Sequence, residues 1–135
     1  MTHTNRERLI TLYKEYELTK EDVFTQTLGK RQITIITRTG IEKIAAKKGL
    51  RVTYKLAAKP SPEYGAVKAT ACDSNGTWMS ESYGTACKAT SHNQYYLEMA
   101  EKRALSRAVL KALRFYELGV YGEDEADDFK RREGE

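Results

Sequence analysis

The chain has 135 residues, 40% of them hydrophobic and 31% charged, which suits a single domain able to bury a core without metal or disulfide support. No apolar run approaches the ~20 residues of a membrane span, and the opening MTHTNRERL has neither an apolar segment nor a cleavage site, so a soluble, cytoplasmic protein is expected. The net charge of +4 hides an asymmetry: residues 122–135 hold seven acidic and three basic residues, leaving +8 (20 basic, 12 acidic) on the rest, a balance that suits a nucleic-acid partner.

The first predicted element is a helix over 5–16, where Leu9, Leu12, Tyr13 and Tyr16 recur at helical spacing behind a Thr4 or Asn5 cap. Thr19 with Asp22 resembles a capping box and predicts a short helical turn, which Gly29-Lys30-Arg31 breaks. Residues 32–36 are β-branched and predict a strand. Thr39 and Glu42 form a second capping box, opening a helix that buries Ile41, Ile44 and Ala45 and ends at Gly49. Lys47 and Lys48 fall in its last turn, where the helix dipole favours cations.

Three strands are predicted next. Residues 50–57 alternate Val52, Tyr54 and Leu56 with Arg51, Thr53 and Lys55. A loop over 59–63, stiffened by Pro60 and Pro62, leads to strands over 66–72 and 77–86. The two flank Asn75-Gly76, the strongest short hairpin signal. Centring the turn there sets Ala69 against Ser82, Ala71 against Ser80, Val67 against Gly84 and Cys72 against Met79. One hairpin face is then almost wholly small, which lets a helix approach closely; the other carries Lys68, Thr70, Met79, Glu81 and Tyr83.

The stretch 93–116, NQYYLEMAEKRALSRAVLKALRFY, has no Pro or Gly and predicts a long helix. Leu97, Ala100, Ala104, Ala108, Ala112 and Phe115 form an apolar stripe that fits a sheet. Beside it, within roughly 80° of arc, run Arg103, Arg107, Lys111 and Arg114. Four cations in a row repel one another, and a purely solvated face would more often mix signs, so the row is expected to meet phosphates. Gly119 and Gly122 end the ordered part, and an acidic, flexible tail is expected over 122–135 after a binding domain over 1–121. Its Asp124-Glu125-Ala126-Asp127-Asp128-Phe129 run is similar to the acidic tips of bacterial single-strand-binding proteins but is followed by Lys130-Arg131-Arg132, so a solvated tail is the favoured reading.

Catalysis is not expected. The chain has no phosphate loop, no GxGxxG after a strand, no HExxH and no Ser-His-Asp candidate. Cys72 and Cys87, with only His3 and His92 to join them, are too few for zinc and are expected as reduced thiols; no metal or cofactor is implied. Binding remains, and Tyr54, Tyr64, Trp78 and Tyr83 lie on or beside strands where rings can stack on bases. Tyr54, alternating with Val52 and Leu56, is better explained by sheet packing.

Three stretches resemble the single-strand annealing superfamily, which includes the eukaryotic Rad-fifty-two annealer, the mitochondrial Mgm proteins and the phage Erf and Sak recombinases. They are TGIEKIAAKKGL at 39–50, the hairpin at 67–84 closing on Glu81-Ser82-Tyr83-Gly84, and AEKRALSRAVLKALR at 100–114. The likeness runs in order over 29–121. It implies an α+β fold: short N-terminal helices, then a curved three-stranded antiparallel sheet, then the long helix packed on it. It also implies ATP-independent binding of single-stranded DNA and annealing of complementary strands in recombination and repair. In that family the long helix lends cations to a groove holding the strand. Lys111 and Arg114 fall on matching basic positions, while Leu110 stands where the eukaryotic relative has a lysine. Lys30 and Arg31 match a further basic region, and Lys55, Trp78 and Tyr83 complete the expected DNA-binding set.

The expected partners are single-stranded DNA, further copies of the chain in a ring or filament joined through sheet edges, and an exonuclease or single-strand-binding protein. The expected setting is a bacterial or archaeal host cell, with a phage-borne gene as one source. Three rivals stay open: a double-stranded RNA binding module, which shares the order helix, three strands, helix; a non-catalytic interaction domain using the basic helix; and, third, a nuclease.

Overall fold

A computed structural model of the chain describes residues 5–59, 61–91 and 94–124. Its elements run α1 (Asn5–Glu15), β1 (Val23–Leu28), β2 (Arg31–Ile36), α2 (Arg38–Lys48), β3 (Arg51–Leu56), β4 (Tyr64–Cys72), β5 (Trp78–Cys87), α3 (Tyr96–Ala112) and β6 (Val120–Gly122). Short 3-10 turns occupy Lys88–Thr90 and Phe115–Leu118. The class is α+β, with two sheets rather than one: β1-β2-β6, in which β6 runs parallel to β2, and the antiparallel β3-β4-β5.

Local chemistry explains most boundaries. Thr37, two residues before the expected cap, is the N-cap of α2; its hydroxyl accepts the Gly40 N–H at 3.2 Å. Glu42 is engaged instead by Arg38, at 3.3 Å. Gly49 closes α2 in the left-handed region at φ 66, as its position after Lys47 and Lys48 suggests. The turn after Thr19 forms, and the Asp22 carboxylate organises it. One oxygen accepts the Thr19 N–H at 2.9 Å and the Lys43 ammonium at 2.7 Å, so the carboxyl is held below its ordinary range, the Lys43 bond first among the causes. The turn leads into β1, a strand the residue pattern does not signal, which pairs with β2 from Val23↔Ile36 to Leu28↔Arg31.

In the second sheet the hairpin has the expected register, with Val67↔Gly84, Ala69↔Ser82 and Ala71↔Ser80. It departs at the turn end. A bulge between Ala71 and Cys72 sets Cys72 against Trp78 instead of Met79, because the Asp73 carboxylate takes up the N–H groups of Asn75 and Thr77, each at 2.9 Å, and closes the turn one residue differently.

Helix α3 serves two cores on two of its sides. Met99, Ala100, Ala104 and Ala108 meet Val67, Ala69, Ala71 and Ala86 of the sheet. Val109 and Leu110 join Tyr16, Ile36, Ile41, Ile44, Phe115 and Val120 against the N-terminal half. Leu110, next to the basic row in sequence, is therefore fully buried. The helix ends at Ala112, short of the expected Tyr116, and the chain turns at Arg114 with φ 63. That turn swings Phe115 into the core, where its ring centroid lies 5.9 Å from that of Tyr16. The chain then forms β6 and buries Asp124; residues 125–135, which hold most of the expected acidic tail, lie outside the described residues.

Candidate nucleic-acid interface

The position of α3 is set by how little lies beneath it. A Cβ added at Gly84 would stand 2.0 Å from the Ala100 carbonyl oxygen and 2.5 Å from the Ala104 nitrogen, so helix and strand backbones touch there. Ser80 then donates its hydroxyl to the Ala108 carbonyl at 2.6 Å, a buried bond that fixes the helix along the strand. With its alanines pressed down over β4 and β5, α3 directs its cations over the rim of β5, the edge strand of this sheet.

There the cations meet backbone. Arg103 donates to the Thr85 carbonyl at 2.9 Å, Arg107 to the Tyr83 carbonyl at 2.8 Å and Lys111 to the Glu81 carbonyl at 3.2 Å. One helix repeat of four residues nearly matches one strand repeat of two, so each cation reaches the next outward-pointing carbonyl of β5. The row expected to hold phosphates is thus, in large part, a seal on a sheet edge whose carbonyls would otherwise lack a partner within the chain.

Arg103 leaves the expected binding set altogether. It is 1% exposed, and besides Thr85 it donates to the Asp124 carbonyl at 3.1 Å, to the Thr90 hydroxyl at 3.4 Å and to the Thr90 carbonyl. A guanidinium buried against three carbonyls ties β5, the turn after it and the end of the described chain into one piece; it does not face a strand of DNA. Arg107 is half-buried, and Lys111 remains exposed beside its carbonyl partner. Arg114 has left the helix and, exposed, pairs with Glu117 at 3.1 Å. Lys30 lies exposed in the β1–β2 turn and Arg31 opens β2, so both belong to the other sheet.

Lys55, Trp78 and Tyr83 come together on the face of β3-β4-β5 opposite α3. Cross-strand partners share a face. The register therefore lays out three rows there: Lys55, Lys68 and Tyr83; Thr53, Thr70 and Glu81; Arg51, Cys72 and Trp78. None of these residues is buried. Trp78 is 58% and Tyr83 53% exposed, and Tyr64, on the same face at the start of β4, is 43%. Three cations face one carboxylate, that of Glu81, which sits 3.9 Å from the Lys68 ammonium and accepts the Thr70 hydroxyl at 3.5 Å. Four β4 residues separate the Trp78 and Tyr83 rows, which puts the rings about 13 Å apart along the strands. Arg51 and Lys68 were missing from the expected DNA-binding set although strand parity alone, 51-53-55 and 64-66-68, puts them on this face with Tyr64, which the sequence had offered as a stacking ring.

The remaining candidates offer less. A cavity of about 370 Å³ between α2 and α3 is lined by Arg38, Tyr95, Glu98, Met99, Glu101 and Lys102, whose mixed charges favour neither an anion nor a cation. Cys87 has its thiol pKa lowered, chiefly by the Thr90 hydroxyl 3.6 Å away. Among the described residues no three His, Cys, Asp or Glu side chains gather as a metal-binding group, and no helix is long and apolar enough to cross a membrane. No family model matches the chain, and neither a curated protein nor a solved structure matches it.

Proposed function

We propose that this chain binds single-stranded DNA on the open face of β3-β4-β5 and promotes annealing of complementary strands without ATP. The observation that carries the reading is the joint presence of Trp78, Tyr83 and Tyr64, all exposed, and Arg51, Lys55 and Lys68 on one sheet face with no buried residue. Rings on a flat face offer sequence-independent stacking, and the cations between them neutralise the phosphates that join the stacked bases. The resemblance of 39–50, 67–84 and 100–114 to annealing proteins supports the same substrate class. It places the strand against the long helix, however, whereas the geometry favours the sheet.

In this mechanism the strand lies extended across the rows, a base on Tyr83 and another on Trp78. Stacking from one side leaves the pairing edges of the bases open to a second strand. Lys111, exposed beside the β5 rim, would meet the backbone of a strand leaving the sheet at that side. A duplex, with its bases stacked on one another, gains nothing from the rings and is released once formed.

The test is binding of an oligothymidylate followed by the fluorescence of Trp78, the single tryptophan of the chain. The expected result is quenching on binding, with affinity falling steeply as salt rises. Affinity independent of salt, or unaltered in a Lys55→Ala, Lys68→Ala double variant, would refute the reading. Annealing is then measured with two complementary strands carrying a fluorophore and a quencher.

A further inference from the structure

The two edges of the β3-β4-β5 sheet are not alike. The β5 edge has its outward carbonyls at Thr85, Tyr83 and Glu81 taken up by Arg103, Arg107 and Lys111 of the same chain. The β3 edge, by contrast, is lined from Thr53 to Leu56 by exposed residues. We propose that β3 pairs with β3 of a second copy of this chain, antiparallel about a two-fold axis through Tyr54, to make one six-stranded sheet.

The hydrogen-bond parity of β3 supplies the first support. Ala57 donates its N–H to the Ala66 carbonyl at 2.9 Å, continuing the β3–β4 ladder by one residue. In an antiparallel ladder the residues that exchange bonds alternate, so 51, 53, 55 and 57 face β4. The backbone groups of Val52, Tyr54 and Leu56 then point off the open edge. An edge with its own N–H and C=O groups outward is a template for another strand.

Side chains choose the strand. On the α3 side of the sheet, Tyr54 is 39% and Leu56 55% exposed, because α3 lies over β4 and β5 and reaches β3 little. Partners must share a face, so only registers joining residues of equal parity are allowed. Centring on Tyr54 sets Tyr54 against Tyr54, Val52 against Leu56 and Thr53 against Lys55, and it pairs the outward backbone groups of all three apolar residues. Centring on Thr53 instead sets Arg51 against Lys55 twice over, a like-charge contact that disfavours that register. The RVTYKL strand is thus complementary to itself in one register, and a second copy covers the two apolar side chains the helix leaves open.

Closure follows from the other edge. A ring or filament built by extending this sheet needs two joinable edges per copy, and here one is already occupied from within. The pair is therefore closed. It is also weak, since six residues a side fall well below the roughly 20–30 a side of a stable interface.

Sedimentation of the chain without nucleic acid, over a concentration range reaching hundreds of micromolar, is expected to show mass rising from one chain toward two and stopping there. Tyr54→Lys, which places two ammonium groups on the axis at an already exposed position, is expected to stay monomeric with unchanged circular dichroism. In a Cys72→Ser, Cys87→Ser background, Tyr54→Cys is expected to oxidise to a covalent dimer at least tenfold faster than Thr53→Cys, whose partner in this register is Lys55. Mass that stays at one chain throughout, a ladder beyond two chains, or faster cross-linking from Thr53→Cys each overturns the proposal. DNA binding plays no part in these measurements, so a monomer that binds DNA counts against the pairing alone, and a dimer that does not bind DNA counts against the proposed function alone.

Discussion

Gly84 lies directly beneath Ala100, so close that the missing Cβ would overlap the Ala100 carbonyl oxygen. The contact is backbone on backbone, and neither side has a flexible atom that can yield. Gly84→Ala is therefore expected to cost about 3 kcal/mol or more, at the upper end of overpacking penalties, or to prevent folding. Urea unfolding against a Gly76→Ala control reads the difference. Gly76, at φ 84 with open space around it, should lose only the smaller cost of its backbone conformation.

Arg103 and Lys55 were expected to do the same job, and substitution should separate them. Arg103→Met leaves the buried Asp124 carbonyl and the part-buried Thr85 and Thr90 carbonyls without this donor and strands no charge in its place, and an unsatisfied buried acceptor costs about 1–3 kcal/mol. A loss of at least about 3 kcal/mol is expected, with single-strand affinity of the remaining folded protein within a factor of two of the parent. Lys55→Ala should leave thermal stability unchanged and weaken binding.

Stacking is tested ring by ring. Trp78→Ala and Tyr83→Ala should each lower single-strand affinity by about 1–3 kcal/mol, the usual worth of a stacked base. Tyr54→Ala, on the opposite face, should leave single-strand affinity unchanged. Equal losses at Tyr54 and Tyr83 would mean that the DNA lies elsewhere.

Salt dependence counts phosphates. If Arg51, Lys55 and Lys68 each meet one, the slope of log affinity against log salt should lie near −2, from about 0.7 per phosphate on a single strand. Removing any one of the three should bring the slope toward zero by about 0.7. Arg114→Ala, whose cation already pairs with Glu117, is expected to move it least.

Acid stability should report Asp22. Lys43 and Thr19 depress its carboxyl pKa, so the stabilisation is complete above the ordinary carboxylate value of about 4 and is lost as pH falls through the lower folded value. Asp22→Asn is expected to be about 1–3 kcal/mol less stable at pH 7, the worth of a hydrogen bond to a charged group. The two proteins should converge as pH falls through that lower folded value. A difference that persists undiminished at acid pH would show that packing, not the ion pair, is what Asp22 supplies.

The parts of this fold that could be read from the residues are those with local signatures. Asn75-Gly76 between alternating segments set the hairpin register to within the bulge at Cys72, and the run of alanines at 100, 104 and 108 announced a helix lying on something flat. β1 stayed hidden because Thr25, Gln26 and Thr27 give no apolar alternation, and β6 is only three residues long. The basic row was visible, but its partners within the chain were not. A helical wheel gives the direction of Arg103, Arg107 and Lys111 but not what lies across from them, and their partners are main-chain carbonyls, which leave no mark in the amino-acid code. Strand parity did put Lys68, Thr70, Glu81 and Tyr83 on one hairpin face; carried on to Arg51 and Lys55 of β3, it would have found the whole open face.

The seam between α3 and β5 is a vernier. Four helical residues advance about 6.0 Å and two residues of an antiparallel strand about 6.8 Å, so each rung slips by about 0.8 Å. Three rungs fit within the reach of long side chains, and the last and most flexible of them, Lys111, makes the longest contact. A fourth would fall more than 2 Å out of step, and α3 stops at Ala112 without supplying one. Hairpin length and helix length are coupled in this way: a β5 extended beyond Trp78 would outrun its own guard, and the added stretch would become a sticky margin that no cation of α3 could shield.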